Sequence, residues 1–514
     1  MMSVGGRRRL PRPAVSVAIV LLLGACTTVG PDFEPPEAPV APDWYQEERE
    51  GLTSTGTELV AWWEVFGDPK LNRLVEEAHR TNNNLEIAAV RILESRAQLG
   101  IATGLRYPQA QTAAGTATYV SPSEAGGSAG DFWDFSLGAS VSWEIDFWGR
   151  YRRGIESANA ALLATMAGYD DVFVLLTAQV AQTYATIRLT EEQLRIAKQN
   201  IEIQRRSYEI VDVLARLGDK SALDRQQALT LLLGTEATLP ILEAGLQQAK
   251  NALSSLLGRP PGDLTEFLGE EGTLPVLPAD LVVGIPADLL RRRPDVRTAE
   301  LNAMAQNALV GVATADLYPS FSLFGFLGLS AGGPGIDLGD LFSGDSLNWN
   351  VGGSFIWPFF NYGRIRNNIR VQDARLQQAL IAYRETVIQA AREVEDAMAG
   401  YVGALEQDDL LQRTVESAQR SNELSMLRYT EGLSDYQRVL DAQQSLFGQQ
   451  SRYINNRGAA VLAVVDLYKS LGGGWEIHGG TYNISPETQE EMEQRTNWGD
   501  YFVTEVEKEG GTSD

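Results

Sequence analysis

An alternating stretch feeds a very long helix, and the arrangement is written twice. Leu137, Ala139, Val141, Trp143, Ile145 and Phe147 alternate with Ser136, Gly138, Ser140, Ser142, Glu144 and Asp146, which predicts a strand with one apolar and one polar face. Trp148-Gly149-Arg150 then opens a helical pattern free of proline to about Leu217. Leu347, Trp349, Val351, Phe355, Trp357 and Phe359 lead in the same way to Tyr362-Gly363-Arg364 and a second long helix. At 1.5 Å per residue, roughly 67 helical residues extend about 100 Å, far beyond a globular-domain helix. Tyr169, Phe173, Leu176, Val180, Tyr184 and Ile187, spaced by three and four, form a coiled-coil-like seam.

The second half repeats the first. At an offset of 211, Ala88 falls on Ala299, Ala102 on Ala313 and Tyr107-Pro108 on Tyr318-Pro319. At 214, Trp143 falls on Trp357, Arg150 on Arg364, Tyr169 on Tyr383, Gly218 on Gly432 and Leu257-Gly258 on Leu471-Gly472. A three-residue difference in the strand–strand loop accounts for the two offsets. Each unit reads as helix, strand, strand, long helix, return helix, the first return helix running through Leu229 and Leu246 to Leu257. The expected domains are a signal peptide over 1–25, a proline-rich lipid-anchored linker over 26–70, a first repeat over 71–286 and a second over 287–474. In the first repeat, strands are expected at about 107–120 and 132–147 and the long helix at about 150–217; in the second, strands at about 318–330 and 347–360 and the helix at about 364–431. An acidic tail over 475–514 has no strand pattern and is expected on the outside of the body or partly mobile.

Composition enters where partners are at issue. The 67 acidic and 43 basic residues give a formal charge of -24, which disfavours a nucleic-acid or anionic-lipid partner. One cysteine and two histidines, Cys26, His79 and His478, cannot build a disulfide framework or a Cys/His metal cluster. Arg7-Arg8-Arg9, an apolar run from Ala14 to Leu23 and Leu23-Gly24-Ala25-Cys26 form a secretion signal. That tetrapeptide resembles a lipobox, whose cysteine is lipidated; the alternative is an ordinary signal peptide or anchor helix with an incidental cysteine. Thr27, where an aspartate would favour inner-membrane retention, points to the outer membrane.

No other stretch has 18 consecutive apolar residues, so a bilayer would be crossed by strands. Phe135 to Phe147 gives about 40 Å of strand, or roughly 30 Å of height at a tilt of about 40°. Trp143, Phe147 and Trp148 in one copy and Trp357, Phe359 and Tyr362 in the other suit a membrane–water interface. Four strands cannot close a barrel, and open edges cannot face lipid, so several copies must share one. Ser140, Ser142, Glu144 and Asp146 would then line a water-filled lumen. A soluble sandwich is the competing reading, and it leaves the signal peptide and the long helices unexplained.

Several runs carry a family likeness: Val29 to Phe33 after Cys26; Trp62-Trp63-Glu64-Val65-Phe66-Gly67-Asp68-Pro69; Gly284 to Arg297; Arg428-Tyr429 with Gly432; and Leu440-Asp441-Ala442-Gln443. Through them the chain resembles the TolC-like outer-membrane factor family, in its NodT-type lipoprotein branch serving tripartite RND efflux systems, over nearly its whole length to about Trp475. The resemblance implies a mainly α, mixed fold: a homotrimer with a 12-stranded outer-membrane barrel, four strands per protomer, continued by a helical periplasmic tunnel. It implies a membrane-fusion adaptor, an inner-membrane RND-type transporter, outer-membrane lipid and a covalent lipid on Cys26 as partners, with no other cofactor. By the same resemblance Asp441 matches a periplasmic gate aspartate, and Gln437 stands where relatives commonly carry a leucine ring. The competing role for Asp441 is a helix pair with Arg438. Arg291-Arg292-Arg293 before Pro294 reads as a helix start whose cations oppose the helix dipole and pair with acids elsewhere.

The function implied is an efflux exit duct for small molecules such as drugs and toxic compounds. An exit duct for type I protein secretion and a structural envelope lipoprotein remain the alternatives. An enzyme is not expected: Gly328-Leu329-Ser330-Ala331-Gly332 matches a nucleophile elbow, but a Gly-rich loop follows it and only His478 lies downstream as a base.

Overall fold

The computed structural model describes residues 28–37, 40–41, 43–45, 52–53, 60–123, 130–277, 281–282 and 290–502. Cys26 and the expected boundaries at 25–26 and 286–287 lie outside them. Ten helices are seen among the described residues: α1 (Pro69–Thr81), α2 (Asn83–Gly104), α3 (Arg150–Arg216), α4 (Ala222–Glu236), α5 (Leu239–Leu256), α6 (Thr265–Leu268), α7 (Pro294–Ala315), α8 (Arg364–Thr430), α9 (Gln437–Ser470) and α10 (Pro486–Arg495). The strands are β1 (Leu52–Thr53), β2 (Ala110–Val120), β3 (Phe132–Ile145), β4 (Leu281–Val282), β5 (Ser320–Gly332) and β6 (Leu347–Ile356). The fold is mainly helical with one four-stranded antiparallel sheet, ordered β2-β3-β5-β6.

The chain divides into two compact units. One holds 92–165 and 299–383 with the described N-terminal residues to Glu37; the other holds 38–91, 166–298 and 384–502. The first contains the sheet. Its ladders pair Leu137 with Leu329, Ala139 with Leu327 and Leu327 with Trp349, so odd-numbered residues of all four strands share one face. That face is apolar and open: Trp349 is 71% and Val351 80% exposed. The opposite face carries hydroxyls that bond across the ladder, Thr112 to Ser140 and Thr116 to Ser136, each at 2.7 Å.

The strands sit a few residues from their expected positions, and two causes are visible. Pro358, without an N–H, keeps β6 from reaching 360. On the first strand, β2 starts at Ala110 because Gln109 does not join the ladder with its backbone. Its side-chain amide takes the place instead: Oε1 accepts from Glu144 N at 2.7 Å and Nε2 donates to Glu144 O at 3.1 Å. One extra residue therefore stands between Pro108 and β2 compared with Pro319 and β5. Within the strands the repeat offset becomes 210, as Ala110 opposite Ser142 and Ser320 opposite Ile356 require. The repeat offset therefore changes by four across the hairpin, while the loops between the strands, 121–131 and 333–346, differ by three residues as expected, and apolar side chains keep to one face in both copies.

The helical unit is built from caps and a buried seam. Asp68 accepts from Lys70 N at the start of α1, with Pro69 in the first turn. The joint between α1 and α2 is a single residue: Asn82 alone lies outside a helix, its Oδ1 accepting from Asn84 N and Leu85 N while its Nδ2 donates to Leu256 O at 2.8 Å. The first return helix, expected to be continuous, breaks at Ala237–Thr238. Pro240 has no N–H and its ring opposes the carbonyl four residues back. Its counterpart in the second repeat is Ile454, and α9 runs 34 residues unbroken. By length and composition, α3 and the α4–α5 stretch are apolar enough to cross a membrane, which a count of consecutive apolar residues misses. In α3 half of that window is buried within the protomer.

The tail folds back in part. Asn483 Nδ2 donates to His79 O and Arg80 O, and Ser485 Oγ donates to Glu86 before capping α10. Arg292 pairs with Glu476 at 2.8 Å, and Arg293 with Asp295 and Glu393 at 2.8 and 2.9 Å. Two of the three cations before α7 therefore pair with acids, Arg292 with one distant in sequence and Arg293 with one distant and one in the first turn of α7.

Candidate functional site: the strand–helix corner and the helical tip

At the corner, β3 gives way to α3 through Asp146 to Gly149. Asp146 was expected on the lumen face of the strand; the strand ends one residue earlier, and its carboxylate caps α3. It accepts from Tyr151 N at 3.0 Å and Arg152 N at 2.9 Å and pairs with Arg152 Nε at 3.2 Å. Ser140, Ser142 and Glu144 lie on β3, on the polar face. Glu144 approaches Arg150 at 3.8 Å, and Arg150 approaches Asp316 at 3.6 Å. Gly149 and Gly363 make the bends at φ +79° and +81°, the left-handed region open to glycine.

The aromatic residues of the two corners differ in their surroundings. Trp143 lies in β3, and Phe147 and Trp148 follow it; Trp357, Phe359 and Tyr362 all follow β6. Trp148 stacks on Tyr318 at 4.5 Å and donates its indole N–H to Pro319 O at 2.9 Å. Its repeat counterpart, Tyr362, is 91% exposed. The cause is topological: β3 is flanked by β5, whereas β6 is the edge strand.

The tip lies in the helical unit, where each long helix turns. Leu214 O accepts from Asp219 N at 3.0 Å and Arg428 O from Leu433 N at 2.8 Å, with Gly218 and Gly432 at positive φ, so both helices end in the same Schellman motif. Between them Val211, Ala228, Tyr429, Tyr436, Val439 and Leu440 form a small core. Tyr429 donates to Asp224 at 3.3 Å and lies under the Lys220 ammonium; burial, with the Asp224 charge beside it, pushes its phenol upward. Asp212 holds Arg216 and Arg225, the latter at 2.7 Å. Asp441 is exposed and accepts from Gln437 Nε2 at 2.9 Å, one turn before it; the alternative pair with Arg438 does not form.

The sequence profile described as "Outer membrane efflux protein" matches residues 74–259 and 285–473. The chain belongs to the outer membrane efflux protein family. This outer membrane efflux protein is 30% identical over 466 residues to the probable outer membrane lipoprotein SilC of Salmonella typhimurium, covering 90% of this chain and 98% of SilC. It is 32% identical over 466 residues to the solvent efflux pump outer membrane protein SrpC of Pseudomonas putida, covering 89% and 97%. The solved outer-membrane channel OprN matches with a TM-score of 0.82 and 32% identity, over 87% of this chain and 99% of that one. The efflux protein is thus a TolC-like outer-membrane channel of an efflux system, and not an enzyme. Ser330 of the elbow-like motif lies within β5, hydrogen-bonded to Asn348, rather than at a strand-to-helix turn.

Alternation alone missed two features of this efflux protein. Phe324 and Phe326 interrupt the polar face, each seated on glycine: a Cβ on Gly138 would lie 2.5 Å from Phe326 Cζ and one on Gly352 2.6 Å from Phe324 Cζ. Glycines opposite or diagonal to aromatics on neighbouring strands were the available signal. The other is Arg153, 4% exposed and bonded to the N-terminal segment. Nothing in its helical period marks it.

Proposed function

We propose that three copies close a 12-stranded outer-membrane barrel continued by a helical periplasmic tunnel, the exit duct of a tripartite pump. An inner-membrane RND-type transporter and a periplasmic membrane-fusion adaptor deliver small molecules to it. Cys26 carries the lipid anchor, in keeping with the likeness to SilC, a probable outer membrane lipoprotein. The observation that carries this reading is the open sheet, whose edge strands β2 and β6 have, among the described residues, no partner strand on one side while its apolar face is exposed. In an antiparallel sheet of four, the two edges run oppositely, so β6 of one copy continues the pattern against β2 of the next.

The internal repeat predicts the register of that seam. The β3–β5 ladder, in which Ser142 faces Phe324, maps by offsets of 214 and 210 onto Ile356 facing Ala114 of the neighbouring copy. Ser354 then faces Thr116, and Phe355 faces Gly115. The stack of Trp148 on Tyr318 maps onto Tyr362 and Tyr107 of the next copy, both exposed in the protomer, at 91% and 64%. Ser140, Ser142 and Glu144 face the lumen, and Trp143, Phe147, Trp148, Trp357, Phe359 and Tyr362 form the girdle. At the periplasmic tip, Asp441 and Gln437 of three copies form the gate, with Tyr429–Asp224 bracing it.

Cysteine pairs test the reading. Ser354→Cys with Thr116→Cys should cross-link into trimers in membranes, and the reconstituted trimer should conduct. Monomeric product together with no conductance would sink it, and co-purification with a secretion ATPase would transfer it to protein export.

A further inference from the structure

Residues 28–32 are laid on the surface, yet their backbone is held from inside. Val29 N donates to Trp148 O at 3.1 Å, at the strand–helix corner. The buried Arg153 donates through Nε to Val29 O at 3.3 Å and through Nη2 to Gly30 O at 3.3 Å and Asp32 Oδ1 at 2.7 Å, while Nη1 pairs with Glu156 at 2.8 Å. Asn307, 4% exposed, donates to Pro31 O at 3.0 Å. Three consecutive carbonyls are thus taken by two buried side chains. The approach is close enough to require glycine on both sides: Gly30 has φ +93°, a Cβ there would lie 2.4 Å from Gly311 Cα, and a Cβ on Gly311 would lie 2.8 Å from Arg153 Cγ. Thr28 lies against Gly149, whose Cβ would be 2.7 Å from Thr28 Cγ2.

We propose that residues 28–32 are a strap locking the lipidated N-terminus to the strand–helix corner, with Arg153 as its positioning residue, so that acyl chains and strand end enter the membrane as one rigid unit. The proposal rests on the reading of Cys26 as the lipid site. Cys26 lies two residue steps from Thr28, a reach of at most about 7 Å, so the lipid is confined to the level of Gly149 and Trp148. Without the strap, some 35 residues would tether the lipid to the first helical core, a flexible span of roughly 30 Å. The acyl chains would then hold the protein near the membrane without holding the corner at its surface, because a loose tether lowers the effective concentration of the strand ends there.

A nitroxide on Glu34→Cys, just beyond the strap, reads the lock directly in trimers reconstituted with native lipidation. The label should be immobilised in the otherwise wild-type chain and mobile in Arg153→Ala, with the yield of membrane-inserted trimer falling several-fold in cells. Equal immobility after Arg153→Ala, or unchanged insertion with a mobile label, overturns the proposal. If Arg153→Ala yields no trimer, Gly30→Val, which leaves Arg153 in place, is read in the same way and with the same expectations. Mass measurement of the acyl group on Cys26 and conductance of the same trimers separate failure of the strap from failure of the lipid or channel readings.

Discussion

Trp357 repeats the hydrogen bond of Trp143: the Trp143 indole N–H donates to Arg106 O at 3.2 Å, and the Trp357 indole N–H donates to Leu317 O at 3.0 Å. The acceptors end equivalent helical turns, with Arg106 N bonded to Thr103 O and Leu317 N to Thr314 O. Each tryptophan therefore ties a strand end to the helix that precedes its neighbouring strand. Trp143→Phe and Trp357→Phe should each lower stability by about 1 kcal/mol, and the double variant by their sum, since the two bonds share no partner. Melting of the detergent-solubilised trimer measures this, and strong non-additivity would count against independent ties.

The aromatic–glycine contacts of the sheet differ in what they touch. The nearest atoms to a Cβ on Gly352 all belong to the Phe324 ring, whereas one on Gly328 meets Gly138 Cα and Leu137 O at 2.7 Å as well as Phe326. Gly352→Ala should impair barrel formation and be rescued by Phe324→Ala. Gly328→Ala should not be rescued by Phe326→Ala, because the backbone clash remains. Heat-resistant trimer on gels distinguishes the two.

The two corner glycines should also respond unequally. Both need positive φ, but Gly149 also abuts Thr28, while Gly363 has only Asn367 Nδ2 near, at 3.8 Å. Gly363→Ala should cost about 1–2 kcal/mol of backbone strain. Gly149→Ala should cost more, and Gly149→Val should abolish assembly. Equal trimer yields from the two alanine variants would show that the strap contact carries no weight.

If Asp441 lines the gate proposed at the tip, Asp441→Ala in the reconstituted trimer should raise resting conductance. Gln437→Ala should free the Asp441 carboxylate of its one observed hydrogen bond and leave the channel closed but more sensitive to divalent cations. Unchanged resting conductance in Asp441→Ala would remove it from the gate.

Two partly buried groups give opposing pH dependence. Burial, followed by the charge of Asp295 and offset in part by Arg293, raises Asp171 to about 6. The folded chain then keeps a proton that the unfolded chain has lost, so stability falls as pH rises from about 4 to 6, by at most about 3 kcal/mol. His79 is held to about 3 by burial and then by His478, and it lies against Phe173 with its Nε2 2.7 Å from Thr177 Oγ1. There the unfolded chain takes the proton, and stability falls as pH drops below about 6.5. Asp171→Asn should flatten the first slope and His79→Gln the second, as read by melting temperature between pH 4.5 and 7.5. Slopes unaltered by these changes would refute the assignment.

Alternation from Leu137 to Ile145 and the seam from Tyr169 to Ile187 were legible because the polarity of successive side chains records which face is buried, a property local to each element. The recurrence of Gly218 as Gly432 and of Arg150 as Arg364 then disclosed two equivalent strand–helix units. Pro240 was equally legible as a helix breaker, although the helical period across it masks the break. Other features depend on residues far apart in the chain meeting in space. Gln109 supplies a ladder bond with its side chain to Glu144, Phe326 finds room over Gly138, and Arg153 gathers the carbonyls of Val29 and Gly30. No periodicity encodes such contacts, since each is a coincidence of shape and hydrogen-bonding capacity created only when the strands and helices pack. Sequence by itself therefore determined the kind of channel this is, and tertiary structure decided the strand register and how the N-terminus is fastened to the corner.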